Sequence, residues 1–310
     1  MNLKSKLFLL LKIILSFIII GYLVYRIGLN NIAVTFSKLN VYVLLFAIGI
    51  IFLHLIIAAY SVFIFIRPLG YTIKFLNFLK IYFFSYSFGL FLPGKLGEFS
   101  IIPLLKSENI EYKDSAAASI LDKLITFITL FLFTVIGVFI FLSFKNAIYI
   151  ISILLLIFFI LFFFLFSKFG RNILIKILRK YAEKFAGFSN SLNFLSNKKI
   201  LLLFNFLLTI LKWLVLALAY YFLFKSFNSV NIQFLYVFLI AMMSSLISLI
   251  PISLSGLGVR ESIAVFLFGT IGISSAITFD VYLILLVIAY SYAAIFLWIY
   301  KDHKKLKNQE

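Results

Sequence analysis

Apolar runs of 18 residues or more recur along the whole 310-residue chain. A helix of about 20 such residues is long enough to cross the roughly 30 Å hydrocarbon core of a bilayer. The chain is 65% hydrophobic and 12% charged, whereas soluble domains are about 45–50% apolar and about 25% charged. A water-soluble core cannot absorb that excess, because the remaining apolar surface would face water. The sequence therefore predicts an all-α polytopic membrane protein, with residues 1–310 forming a single integral membrane domain.

Two of the apolar segments are too short to span a bilayer. The segments are 7–25, 42–66, 75–92, 96–105, 115–142, 147–167, 200–224, 232–250, 257–271 and 276–300. Each short segment follows a longer one after a break rich in glycine and proline, "FLPGKLGEFS" in the first case and "LIPISLSGLGVRE" in the second. We interpret each pair as a re-entrant or broken-helix hairpin, covering 75–106 and 232–271, which leaves six full spans.

Basic residues concentrate at the N-terminus, in the C-terminal tail and in the connection 168–199, which holds eight basic residues and one acid. Connections rich in lysine and arginine stay in the cytoplasm. The pattern predicts a multi-pass protein of the cell membrane with cytoplasmic N- and C-termini. The connection 168–199 has apolar residues at helical spacing, so it is either a basic amphipathic helix on the headgroups or an ordinary basic loop.

The predicted orientation is consistent only if both broken pairs are re-entrant, and the first hairpin then enters from the cytoplasm and the second from outside. The halves 1–142 and 147–300 then share the order span, span, hairpin, span, starting from opposite faces. Such an inverted-topology repeat with discontinuous helices occurs in transporters, whose ligands bind near the midplane. The segment 26–41 fits less well, because it should be external and yet carries Arg26 and Lys38.

Charged residues at membrane depth are the candidate functional groups, since each costs at least about 2.5–3.5 kcal/mol at a helix centre. We predict a polar cavity between the two halves that binds an anionic headgroup such as a lipid phosphate. The predicted binding cations are Lys95, Lys123, Lys212 and Arg260, and their charge partners are Glu98, Asp122 and Glu261. The alternative is that these charges only pair with one another and hold the broken helices together.

Glycines in the two breaks would allow the backbone to approach a ligand closely. They are Gly94, Gly97, Gly256 and Gly258. His54 lies in the middle of the span 42–66, where a lone histidine is more often hydrogen-bonded to a neighbour than functional. Serines near the second break more often mediate helix packing than bind substrate.

Other function classes find little support in the sequence. The net charge of +18 lies between spans rather than in a soluble basic domain, so a nucleic-acid partner is not expected. Cysteine is absent, and the two histidines are far apart, so no metal site or cofactor is expected. No nucleotide-binding loop or catalytic triad pattern is present, and the protein is not expected to be an enzyme.

Three motifs carry a family resemblance: "LPGKLGEFSIIPLLK", "ASILDKLITFITLFLFTVIG" and "LIPISLSGLGVRESIAVFLFGTIG". In this order they resemble the transmembrane domain of lysylphosphatidylglycerol synthase/flippase proteins, over essentially the whole chain. The chain differs from the family pattern in two places. Asp122-Lys123 stands where Glu-Arg is usual, and Leu254-Ser255 stands where Pro-Gly is common.

The resemblance implies a lipid flippase or transporter that moves an anionic or charged-headgroup lipid between leaflets, of phospholipid or polyprenyl-phosphate type. The chain resembles a stand-alone member of the family that lacks the aminoacyl-transferase domain. The alternative is a membrane-embedded enzyme or accessory subunit of lipid-linked sugar or glycolipid synthesis. The expected partners are membrane lipids, with a homo-oligomer or a lipid-modifying enzyme as further partners. A scaffold that only anchors other proteins is a third reading.

Overall fold

The computed structural model describes residues 3–166, 187–227, 230–250 and 253–307. These residues are nearly all helical, and the chain is an all-α polytopic membrane protein. Among them, Leu39 and Phe227 form one isolated antiparallel bridge. Pro251 lies outside the described ranges, as does most of the predicted amphipathic segment in 168–199.

Twelve α-helices are described. We number them α1 (Leu3–Ile27), α2 (Leu29–Phe36), α3 (Val41–Phe63), α4 (Phe75–Phe91), α5 (Ile101–Leu104), α6 (Tyr112–Phe141), α7 (Phe144–Phe166), α8 (Phe188–Ser196), α9 (Lys199–Lys225), α10 (Phe234–Ser248), α11 (Val259–Thr270) and α12 (Ser275–Lys307). Short 3₁₀ helices occupy Arg67–Leu69, Pro93–Ser100, Leu105–Glu108 and Leu254–Gly256.

Five of the six predicted full spans coincide with helices long and apolar enough to cross a membrane. These apolar stretches are Leu10–Ile27, Val41–Leu69, Tyr112–Phe141, Lys199–Lys225 and Ser275–Tyr300. The sixth predicted span, 147–167, coincides with α7, whose described apolar part is Phe144–Leu156. The order of spans is therefore close to the prediction, while the inverted repeat stays a prediction.

Both predicted hairpins fold back at their breaks, but their returning limbs differ. After the second break the chain forms α11, a 12-residue α-helix. After the first break it forms the 3₁₀ helix Pro93–Ser100 followed by only four α-helical residues. The predicted short helix at 96–105 is thus mostly 3₁₀, because glycine and proline in "PGKLGE" disfavour the α-helix.

Helices α3 and α9 form the most extensive helix pairing among the described residues. Small buried residues lie on both helices, Ala47 and Ala59 on α3 and Ala217 on α9. Small side chains let the two backbones approach closely. Helix α10 lies inside the bundle, with 11 of its 15 residues buried. The long helices and the two breaks surround a common interior in which the polar groups lie.

A separate polar contact attaches the short helix α8 to α6. The Asp114 carboxylate accepts hydrogen bonds from the hydroxyls of Tyr71 and Ser191. Leu195 on α8 is fully buried against the apolar cluster that includes Leu105 and Ile110. Residues 187–199, the described part of the long connection, therefore pack on the helical bundle.

Candidate functional site

The first break turns the chain back alongside α4. The Ser85 hydroxyl donates a hydrogen bond to the Glu98 carbonyl at 2.7 Å, and the Ser100 hydroxyl donates to Ser85 Oγ at 3.0 Å. A Cβ atom added to Gly97 would lie 2.2 Å from the Phe88 carbonyl oxygen. These contacts fix the position of the Glu98 side chain beside the bundle interior.

The second break is organised in a similar way around its glycines. Gly256 has a positive φ of 80°, and a Cβ added there would lie 2.4 Å from Ser248 Cβ. Gly258 caps α11 with φ 83°, and its N–H donates to Glu261 Oε2 at 2.6 Å. Arg260 follows in the first turn of α11, as predicted from the sequence.

The two breaks contact each other, and a cavity of about 270 Å³ lies between them and the helices α3, α6, α9 and α12. Four of the predicted charged residues line it: Glu98, Lys123, Lys212 and Arg260. The fold thus brings together residues that are far apart in the sequence. Glu98 and Arg260 are separated by 162 positions and line the same cavity.

Four of the charged groups form a continuous network along one side of the cavity. Lys123 pairs with the Glu98 carboxylate, and its Nζ lies 3.9 Å from Asp122 Oδ2. The other oxygen of Asp122, Oδ1, lies 3.7 Å from Lys212 Nζ. Asp122 and Lys212 are buried, with side chains 1% and 6% exposed, whereas Lys123 is 31% exposed. The buried Asp122–Lys212 pair is thus linked through Asp122 to the more accessible Glu98–Lys123 pair.

Neutral polar groups complete this network and were missed by the sequence analysis. Asp122 Oδ1 accepts hydrogen bonds from Ser61 Oγ at 2.7 Å and from Asn205 Nδ2 at 3.2 Å. Lys212 Nζ donates to Thr126 Oγ1 at 2.9 Å. Helical spacing could have identified Asn205 as a polar neighbour of Lys212, because it lies seven residues before Lys212 and thus on the same face of α9.

Arg260 and Glu261 form a second charged pair at the start of α11. Arg260 donates to Glu261 Oε1 from Nη2 at 2.7 Å and from Nε at 3.1 Å. The guanidinium also lies over the Tyr282 ring, 5.5 Å from its centre. Glu261 is buried and Arg260 is 24% exposed. Arg260 is therefore held in place while part of its side chain faces the cavity.

Four tyrosines also line the cavity, and nothing in the sequence pattern singled them out. They are Tyr82, Tyr86, Tyr220 and Tyr290. His54 also lines the cavity, and its Nδ1 lies 2.7 Å from the Lys212 carbonyl oxygen. This contact agrees with the interpretation of His54 as a histidine hydrogen-bonded to a neighbour.

The described charges of the cavity balance. Three cations, Lys123, Lys212 and Arg260, face three carboxylates when Glu261 and Asp122 are counted with Glu98. The predicted excess of positive charge therefore depends on Lys95. The side chain of Lys95 and the surroundings of Gly94 are not among the features that the structure describes.

Three of the predicted glycines pack against protein rather than lining the cavity. The space beside Gly97 is filled by the backbone of α4, and that beside Gly256 by Ser248. Gly258 lies against Ile19 of α1. The geometry of the breaks thus depends on these glycines, and their predicted contact with a ligand stays a prediction.

Asp280 is a buried acidic residue apart from this network. It is fully buried on α12, and neither carboxylate oxygen has a hydrogen-bond partner in the described part of the chain. The nearby Thr278 hydroxyl is likewise unpartnered there. Asp280 does not line the central cavity, and we assign it no role.

Comparison with known proteins bears on the whole chain. The family model described as the lysylphosphatidylglycerol synthase TM region matches residues 9–300. The chain belongs to this family. No curated protein matches it. The lysylphosphatidylglycerol synthase TM family is associated with lipid flippase-like function, and both breaks and all the charged residues of the cavity fall within the matched range.

Proposed function

We propose that this member of the lysylphosphatidylglycerol synthase TM family moves a lipid with an anionic or charged headgroup between the leaflets of the cell membrane. The central cavity is the proposed headgroup site. The observation that carries the proposal is the cavity itself, in which charged side chains from two interrupted hairpins and two spanning helices meet inside an otherwise apolar bundle. A charged headgroup needs such polar surroundings to cross the hydrocarbon region.

The proposed binding groups are the accessible cations, Lys123 and Arg260, with Lys212 behind them and Lys95 as a further cation of the first break. Both accessible cations are already paired with carboxylates. A phosphate group would therefore bind by sharing these cations, while Glu98 could accept a hydrogen bond from a hydroxyl or an amine of the headgroup. The acyl or polyprenyl chains stay in the bilayer.

We expect Arg260→Gln to slow leaflet exchange by about tenfold or more, because hydrogen bonds to charged groups contribute about 1.5–3 kcal/mol. The measurement is dithionite quenching of fluorescent lipids in liposomes that contain the purified protein. Three probes cover the candidate substrates: phosphatidylglycerol, a lysyl-lipid and a polyprenyl phosphate.

Arg67→Gln is the matched control for this experiment. Arg67 also lies over an aromatic ring, 5.4 Å from the centre of Phe63, but it does not line the cavity. This variant should exchange lipid at the wild-type rate. If the wild type exchanges none of the three probes faster than empty vesicles do, the flippase proposal is wrong, and the alternative of a synthesis enzyme or accessory subunit gains weight.

The proposed orientation has cytoplasmic N- and C-termini, on the basis of the lysine and arginine distribution. Since the chain contains no cysteine, single engineered cysteines report on it directly. Lys145 and Ser107 are both exposed, and the proposed orientation places them on opposite sides of the membrane. We expect a membrane-impermeant maleimide to label Lys145→Cys in intact cells and Ser107→Cys only after permeabilisation. The opposite result would reverse the orientation.

A further inference from the structure

Helix α1 closes one side of the second break. The Leu254 N–H donates to Ser16 Oγ at 2.9 Å. A Cβ added to Gly258 would lie 2.8 Å from Ile19 Cβ and 3.3 Å from the Ser16 carbonyl oxygen. At this level α1 and the hairpin are thus in direct backbone contact, with no space for a ligand between them.

Farther along α1, the same two elements separate. A groove of about 820 Å³ opens between the last turns of α1, the helix α2, and the helices α11 and α12. Tyr22 and Arg26 lie on its α1 side, and Ser262 and Phe266 lie on its α11 side. The groove therefore begins within about one turn of the seam at Ile19.

The polar end of this groove favours an anion. Arg26 is exposed there and forms no ion pair with any residue that the structure describes. No carboxylate is found among the described residues that line the groove. Ser275 and Ala276 add the first turn of the 33-residue helix α12, whose N–H groups and dipole favour negative charge. This differs from the central cavity, where every described cation already has a carboxylate partner.

The rest of the groove favours a hydrocarbon chain. Phe266 is 61% exposed and Val34 is 56% exposed, and both line the groove. Exposed apolar side chains next to an unpaired cation match a ligand that joins an anionic group to acyl chains. A free phosphate ion would use only the polar end.

We propose that this groove binds an anionic glycerophospholipid, with its phosphate at Arg26 and its acyl chain along Val34 and Phe266. In lipid exchange it is the site where the lipid first leaves the bilayer, next to the closed seam between α1 and the second break. That role rests on the proposed function, whereas binding in the groove does not. An arginine in the last turn of a spanning helix can also act only as a headgroup anchor, and the test must separate the two.

Two matched cysteine positions provide the test in the cysteine-free chain. Val34→Cys lies in the groove and Val41→Cys lies outside it, at the start of α3, and the two valines are 56% and 59% exposed. Each variant carries a bimane label and is placed in nanodiscs with brominated phosphatidylglycerol or brominated phosphatidylcholine. We expect phosphatidylglycerol to quench the label at 34 at about tenfold lower mole fraction than phosphatidylcholine does, and the two lipids to act alike at 41.

Adding Arg26→Gln to the Val34→Cys variant should remove the preference for phosphatidylglycerol, and Arg26→Lys should retain part of it. The same Arg26 changes in the Val41→Cys variant should leave quenching at 41 unchanged. That result and an unchanged helical circular dichroism spectrum show that these variants fold. Equal quenching by the two lipids at 34, a preference that survives Arg26→Gln, or the same preference at 41 would each overturn the proposal. Because no step measures exchange, failure here is distinct from failure of the flippase proposal.

Discussion

Asp122→Asn should lower the free energy of unfolding by about 3–5 kcal/mol, the cost of removing one partner of a buried ion pair. Asparagine keeps the size of the side chain and leaves the Ser61 and Asn205 groups near a polar partner. What is lost is the negative charge 3.7 Å from the buried Lys212 ammonium. Unfolding in mixed detergent micelles measures the change, and lipid exchange should fall with it.

Two further variants separate charge from packing. Asp122→Asn combined with Lys212→Met removes both charges, so it should recover most of the lost stability. Asp114→Asn, on the same helix, changes a buried aspartate held by two hydroxyls rather than by a buried ammonium, and should cost about 1–2 kcal/mol. If Asp122→Asn costs no more than Asp114→Asn, the Asp122–Lys212 pair does not stabilise the fold as inferred.

Gly97→Ala should abolish lipid exchange and lower the yield of folded protein. The added Cβ would lie 2.2 Å from the Phe88 carbonyl oxygen, 2.5 Å from its carbon and 2.8 Å from Gly89 N. All three are backbone atoms of α4, so no side chain can rotate away. The first break must then move from α4, which displaces Glu98 from Lys123. Overpacking costs about 1–3 kcal/mol where side chains can adjust, and we expect at least that here.

Gly49→Ala is the matched control, since nothing lies within 4 Å of the Cβ added there. Gly49 lies within α3, where alanine is favoured over glycine by about 0.5–1 kcal/mol. This variant should be as stable as the wild type or slightly more stable, with wild-type exchange. Measuring folded yield by size-exclusion chromatography and exchange in liposomes checks both variants. Normal exchange by Gly97→Ala would show that the close approach at the first break is dispensable.

Much of the architecture follows from the sequence because hydrocarbon thickness fixes helix length. Apolar runs located five spanning helices, and glycine and proline located both breaks. The pairing of Arg260 with Glu261 was also accessible, since adjacent residues in the first turn of a helix are close whatever the tertiary structure. The cost of charge in a membrane identified Asp122 and Lys212 as residues that need partners.

The partners themselves could not be predicted. Contact between Asp122, Ser61 and Asn205 depends on how α3, α6 and α9 are rotated about their axes, and nearly uniform apolar helices carry little information on rotation. The 3₁₀ conformation of the first returning limb also escaped prediction. Glycine and proline in this segment disfavour the α-helix, and the close contact of Gly97 with Phe88, nine residues earlier, is not visible in the hydrophobic pattern.

The balance of charge in the central cavity has an electrical consequence. The described side chains there carry three positive and three negative charges, joined in ion pairs that would move as units. A membrane potential of 100 mV does work of about 2.3 kcal/mol on each net charge that crosses the bilayer. Displacement of these neutral ion-pair groups contributes almost nothing to that work, so in the described part of the cavity the voltage would act mainly on the charge of a bound lipid. The sign of the headgroup would then determine the direction in which the potential favours its movement.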